Sequence, residues 1–88
     1  MREDRKTRLR PLGEPTPGHV RTDARGLPVA VRVGRRWRRV EAVREVWRID
    51  DEWWRRPLAR EYVAVALEDG RSLTVYRDLV QGGWWVQG

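Results

Sequence analysis

The chain has no cysteine, no phenylalanine and no asparagine, and only one histidine and one lysine. Without cysteine there is neither a disulfide framework nor a thiolate metal site. His19, set among prolines and glycines, is the only imidazole, so no Ser-His-Asp set can be assembled around a packed core. No glycine-rich phosphate loop opens a helix pattern. No run approaches the ~20 apolar residues of a membrane-spanning helix, and the opening MREDRKTRLR lacks the apolar stretch of a secretory signal. These absences point away from enzymatic activity, cofactors and a membrane partner, and toward a cytoplasmic protein.

What is present is basic and rich in tryptophan. Eighty-eight residues make one domain, and a chain this short buries only about 60% of its unfolded surface, so its core must draw on large side chains. Six tryptophans meet that need. The formal charge of +6 suits a polyanionic partner. Eighteen of the 19 basic residues are Arg, however, and 13 carboxylates are interspersed among them, which equally describes a soluble mixed-charge surface.

Residues 1–26 carry Pro11, Pro15, Pro17, Gly13, Gly18 and Gly26 with few large apolar groups, the profile of a disordered basic tail. Arg2, Arg5, Lys6, Arg8 and Arg10 make it either a solvated extension or an arm for phosphate. From Leu27 onward, short Val-rich and Trp-rich runs punctuated by glycine predict an all-β domain over 27–88. VAVRV (29–33) alternates, and a turn at Gly34-Arg35 returns the chain. Residues 36–50 are ambiguous, because Val40, Val43 and Trp47 also fit helical spacing. A long strand accounts better for the Trp, Val and Ile content. A bulge near Ala42 and Val43 would place Val40, Ala42, Val43, Trp47 and Ile49 on one face.

In EYVAVALEDGRSLTVYRD (61–78), Asp69-Gly70 predicts a two-residue type I′ hairpin. That register sets Glu68 opposite Arg71, Tyr62 opposite Arg77, Ala64 opposite Val75 and Val63 opposite Tyr76. The final WWVQ adds a strand with Trp84 and Val86 pointing one way and Trp85 the other. The sum is a five-stranded antiparallel meander curled into an SH3-like, partly open barrel. A curled half-sheet that completes its core by dimerising remains open as an alternative.

Arg48-Ile49, Trp53-Trp54, Arg60, Tyr62, Gly70, Tyr76-Arg77-Asp78 and Gly82-x-Trp84-x-x-x-Gly88 occur in an order that resembles the C-terminal segment of the catalytically inactive Y-family polymerase-like subunit of bacterial inducible-mutagenesis cassettes. The resemblance covers residues 48–88 and none of the polymerase body. Glu52 stands where that family has glycine, Glu61 where it has Asp, and Gln87 where it has His. Residues 27–88 are also similar to a family of small stand-alone bacterial proteins of unknown function. Gly26, Pro28, Gly34, Arg35, Val40, Val43 and Trp47 carry that likeness, with Gly83 and Trp85, or Gly82 and Trp84, at the end. The first resemblance implies a setting in DNA repair or translesion synthesis.

Asp50, Asp51, Glu52, Asp69 and Asp78 would have to converge to form a two-metal phosphodiester site. Their placement in a loop, a tight turn and a strand end argues against it, and no catalytic residue is assigned. The stronger candidate is a binding surface. Arg35, Arg36, Arg38 and Arg39, with Arg32, cluster at the first hairpin, where guanidinium groups would contact phosphate and Trp53, Trp54 and Trp85 would stack on bases. Alternatively, these arginines pair with Glu41, Glu45 and Asp50 to Glu52 and bind nothing. Arg60, Tyr62, Tyr76 and Arg77 form either part of the surface or a structural clamp, with Arg77 over Tyr62 and Asp78 accepting from Arg60. The expected partner is single-stranded or duplex DNA, contacted through its backbone. A protein of the translesion machinery, or a second copy of the chain acting in an adaptor without nucleic-acid binding, is the alternative.

Overall fold

The computed structural model describes residues 15–53 and 56–87, and for residues 52, 53 and 56 it describes the backbone alone. Among these, every regular element is a strand: β1 (Thr16–Gly18), β2 (Val20–Thr22), β3 (Pro28–Val33), β4 (Arg36–Trp53), β5 (Arg56–Leu67), β6 (Ser72–Asp78) and β7 (Trp84–Gln87). All pairings are antiparallel. The order β1-β7-β6-β5-β4-β3-β2 makes one sheet, curled into a half-barrel. No helix among the described residues is long and apolar enough to cross a membrane.

Among the described residues the expected five strands are seven, and the first of them starts at Thr16, within the stretch predicted as tail. The two added strands are three residues each, too short for alternation to reveal them, and Pro17 and Gly18 disguise the first. They also explain the curl. β1 and β2 lie at opposite edges of the sheet, yet His19 alone separates them in the chain. The edges must therefore approach one another, and the His19 carbonyl accepts the Arg32 N–H at 2.9 Å where they do. Gly18 allows the approach, since a Cβ there would lie 2.9 Å from Val86 Cγ2.

Inside the curl, Val31, Val63, Val65, Leu67 and Val75 are fully buried, with Val20, Val33, Val40, Leu73, Trp84 and Val86 packed around them. Burying such side chains contributes roughly 1.5–3 kcal/mol each, and they come from strands distant in sequence. This is the inner face. Trp84 and Val86 point into it while Trp85 points out, as the alternation of the last strand predicts.

Two register details depart from expectation. The Asp69-Gly70 hairpin has a three-residue loop. Gly70 N–H donates to the Leu67 carbonyl (3.0 Å), Leu67 N–H donates to the Arg71 carbonyl (2.8 Å), and Gly70 sits at φ 91°. That is a turn followed by a left-handed residue, which glycine adopts without a Cβ penalty. Every β5–β6 pair is consequently one residue off the two-residue prediction: Tyr62 faces Tyr76, Val63 faces Val75 and Glu61 faces Arg77.

In β4 the pairing with β5 shifts twice, between Val40 and Ala42 and between Val43 and Glu45. Each bulge adds one residue, so Val40, Val43 and Val46 all pair with inner-face residues (Leu67, Val65 and Val63) at a spacing of three. The helix-like period arises from a doubly bulged strand. Trp47 and Ile49 pair with Tyr62 and Arg60 instead, so they lie on the outer face, opposite to the face expected for them.

Candidate nucleic-acid interface

The outer face carries two aromatic features. The first is a row across five strands, in which Trp47, Tyr62, Tyr76, Trp85 and Pro17 are successive cross-strand neighbours of β4, β5, β6, β7 and β1. Trp47 and Tyr62 stack with centroids 5.3 Å apart. Tyr62 and Tyr76 lie at 4.9 Å, and Tyr76 and Trp85 stack at 6.3 Å. Such pairs add roughly 0.5–1.5 kcal/mol beyond area burial. The middle of the row is closed, with Tyr62 9% and Tyr76 3% exposed, so neither ring is available to a base.

Arg60 fastens the row. Its Nη1 donates to the Tyr62 hydroxyl at 3.2 Å, and its guanidinium lies 4.6 Å from the Tyr76 ring centroid. The Tyr62 hydroxyl bond holds the Arg60 pKa above its usual value. Burial pushes the Tyr76 phenol up, while Arg60 pulls it partly back. Both effects keep the tyrosine neutral and the arginine charged. A groove of 560 Å³ runs beside the row, lined by Leu58, Arg60, Tyr76, Asp78, Gln81 and Trp85.

Arg77 acts on the opposite face. Its Nη2 donates to Glu61 Oε1 at 2.9 Å, and its guanidinium lies 5.2 Å from the Trp84 ring centroid. The guanidinium also lies under the β2–β3 turn, where a Cβ on Gly26 would approach Arg77 Nη2 to 3.4 Å. The clamp is thus built with its partners exchanged. Arg60, not Arg77, covers a tyrosine, and Asp78 accepts the Val80 and Gln81 N–H groups at 2.9 Å in the loop to β7. Arg77→Ala leaves Glu61 without its guanidinium and uncovers Trp84. We expect a loss of roughly 1–2 kcal/mol, read as a thermal midpoint lower by about 4–16 °C. An unchanged midpoint would remove Arg77 from the clamp.

The second feature is the outer face of β2, β3 and β4. Arg21, Ala30 and Arg39 form one cross-strand row, with Arg32 and Trp37 paired beside it. Arg21 lies 4.2 Å over the Trp37 ring, which is 38% exposed. A shallow depression of 480 Å³ is lined by Arg21, Val29, Ala30, Trp37, Arg39 and Glu68.

The predicted residues distribute unevenly. Arg35 occupies the β3–β4 turn and Arg36 the first position of β4, and both are exposed. Neither has a carboxylate partner among the described residues. Arg38 Nε lies 3.4 Å from Asp69 Oδ2, and Arg39 pairs with Glu68 at 3.9 Å while donating its backbone N–H to the same carboxylate at 2.9 Å. Among the described side chains, the acids that hold these arginines come from the β5–β6 turn, not from Glu41, Glu45, Asp50 or Asp51; the side chain of Glu52 lies outside the described ones. Arg60, Tyr62, Tyr76 and Trp85 belong to the closed row and its groove, and Arg77 to the inner clamp. Trp53 ends β4, paired through its backbone with Arg56. Trp54 lies outside the described residues.

Arg21 and Trp37 were not singled out from the sequence. The available signal was the alternation around Arg36-Trp37-Arg38, which forces Trp37 to the face opposite Val31 and Val33. Among the described residues, no group of three or more His, Asp or Glu side chains could hold a metal ion. Comparison with protein families, curated proteins and solved structures found no match to this chain.

Proposed function

We propose that this chain is a non-enzymatic module that binds nucleic acid through the outer face of β2–β3–β4. The observation that carries the reading is the concentration of Arg21, Arg32 and Arg39 around the exposed ring of Trp37, with Arg35 exposed in the adjoining turn. Like charges gathered on one face of a sheet oppose folding, and a bound polyanion relieves that repulsion. Guanidinium groups suit phosphate oxygens through bidentate contacts. Trp37 offers a stacking surface worth ~1–3 kcal/mol to an unpaired base, which favours a single strand over a duplex.

The curled sheet is read as a partly open barrel of the SH3-like kind, supported by the passage of the chain from one edge to the other at His19. Placement in DNA repair or translesion synthesis is supported by the resemblance of residues 48–88 alone. Single-stranded oligonucleotide added at low salt is expected to quench the tryptophan fluorescence, and Trp37→Phe is expected to abolish most of that quenching. Quenching of equal size in the variant would move the contact to another tryptophan.

A further inference from the structure

β4 pairs with β5 along Val40 to Trp53, but with β3 only over Arg36 to Arg39. Beyond Arg39, its second side has no partner strand among the described residues. The direction of the backbone groups follows from two hydrogen bonds. Leu67 N–H donates to the Arg71 carbonyl, and Leu79 N–H to the Ala59 carbonyl, each at 2.8 Å. Odd-numbered residues of β5 therefore turn their backbone groups toward β6, and even-numbered ones toward β4. Trp47 and Ile49, opposite Tyr62 and Arg60, face β5. Val46, Arg48 and Asp50 turn their N–H and C=O groups outward.

Natural sheets usually blunt such an edge with bulges, short length, charged side chains or proline. Here both bulges precede Glu45, and residues 45–53 run on without another. Between its charged residues this edge also exposes three large apolar side chains, Val46 at 48%, Ile49 at 40% and Trp47 at 37%.

We propose that residues 45–53 of β4 form the interface of a symmetric homodimer, in which two copies pair edge to edge about a two-fold axis at Ile49. The charge pattern selects this register. A two-fold axis normal to the sheet must pass where one residue faces itself. Placed at Ile49, it sets Arg48 opposite the partner's Asp50, and Asp50 opposite the partner's Arg48. Within one chain Arg48 Nε already bonds Asp50 Oδ2 at 2.8 Å, so the dimer carries an alternating cluster of four charges. An axis at Arg48 or at Asp50 would face like charges directly, and one at Trp47 would set Arg48 against the partner's Val46. Because Arg48 and Asp50 carry the outward backbone groups, each Arg48–Asp50 pair exchanges both of its ladder hydrogen bonds. Ile49 faces its copy in the non-hydrogen-bonded position, with Cα atoms about 4.5 Å apart. This interface is independent of the arginine face.

Sedimentation of the full chain tests the proposal, and the absence of native cysteine gives it a register-specific probe. The chain is expected to reach twice its 10.5 kDa mass as concentration rises. Under oxidation Ile49→Cys should cross-link to a covalent dimer, because the expected Cα separation falls within the roughly 4.4–6.8 Å range of disulfides. Arg48→Cys should not, since that position faces Asp50. Arg48→Asp is expected to weaken dimerisation at least tenfold, and Arg48→Asp combined with Asp50→Arg to restore it. All these positions are exposed, and retention of the wild-type strand spectrum checks that each variant folds. A chain that stays monomeric at every accessible concentration overturns the proposal. So does a dimer indifferent to Arg48→Asp that cross-links equally well through either cysteine.

Discussion

Tyr76→Ala is expected to remove about half of the domain's stability, roughly 3–5 kcal/mol, while Trp85→Ala costs much less. Tyr76 is the most enclosed member of the outer row, touching Tyr62, Trp85 and the Arg60 guanidinium. Removing a buried aromatic ring costs about 3–5 kcal/mol. A sheet of some 70 residues has roughly 4–10 kcal/mol in total, so the substitution consumes much of the margin. It also exposes Arg60, whose Nε is buried without a hydrogen bond and whose guanidinium stacks on the lost ring. Trp85 is half-buried and contributes mainly its stacking on Tyr76, a loss of about 1–2 kcal/mol. Chemical denaturation of the two variants separates the outcomes. Equal, mild losses would mean that the row covers the sheet without supporting it.

The second large effect is on binding. Arg32→Glu with Arg35→Glu is expected to weaken single-strand binding roughly 10- to 100-fold at low salt, and to reduce the salt dependence by about 1.4 in log–log slope, as the loss of two phosphate contacts requires. Stability should hardly change, because both side chains are exposed and lack carboxylate partners among the described residues. Arg38→Glu makes a useful contrast. Arg38 is engaged by Asp69 at 3.4 Å, so its reversal should disturb the β5–β6 turn and lower the melting point. If the Arg32/Arg35 double variant bound as tightly as the parent, the hairpin would have no role in recognition.

Much of the fold was legible in the sequence because the β signals are local. Alternation in residues 29–33, the direction of Trp84 against Trp85 and the hairpin at Asp69-Gly70 all follow from strand geometry. What misled was the count of one residue. Asp-Gly serves two-residue and three-residue hairpins alike, and choosing the shorter loop moved Tyr76 and Arg77 to the wrong partners. The two bulges of β4 similarly turned a period of two into a period of three, which mimics a helix and misplaces Trp47 and Ile49.

β1 and β2 were illegible for a different reason. Thr16–Gly18 and Val20–Thr22 are strands because the curled sheet offers them edges to pair with, which is a tertiary cause that no local pattern announces. Their absence from the sequence reading also hid the arginine face. Arg21 reaches Trp37 only because β2 lies beside β3, and a tail residue gave no reason to be placed there. The arginines of the hairpin could be named from the sequence, but not which of them remain unpaired. Arg38 and Arg39 are answered by Asp69 and Glu68, acids 29 or more positions away along the chain, delivered by the turn that joins β5 to β6.

The central claim is that the β2–β3–β4 face binds a nucleic-acid backbone, and its most direct test is the affinity of the unmodified chain for a labelled single-stranded oligonucleotide across a salt series. With Arg21, Arg32, Arg35 and Arg39 contacting phosphate, the slope of log K against log salt concentration should be about −3, at roughly −0.7 per contact. Failure to bind at low salt, or binding whose strength does not fall as salt is raised, would contradict it.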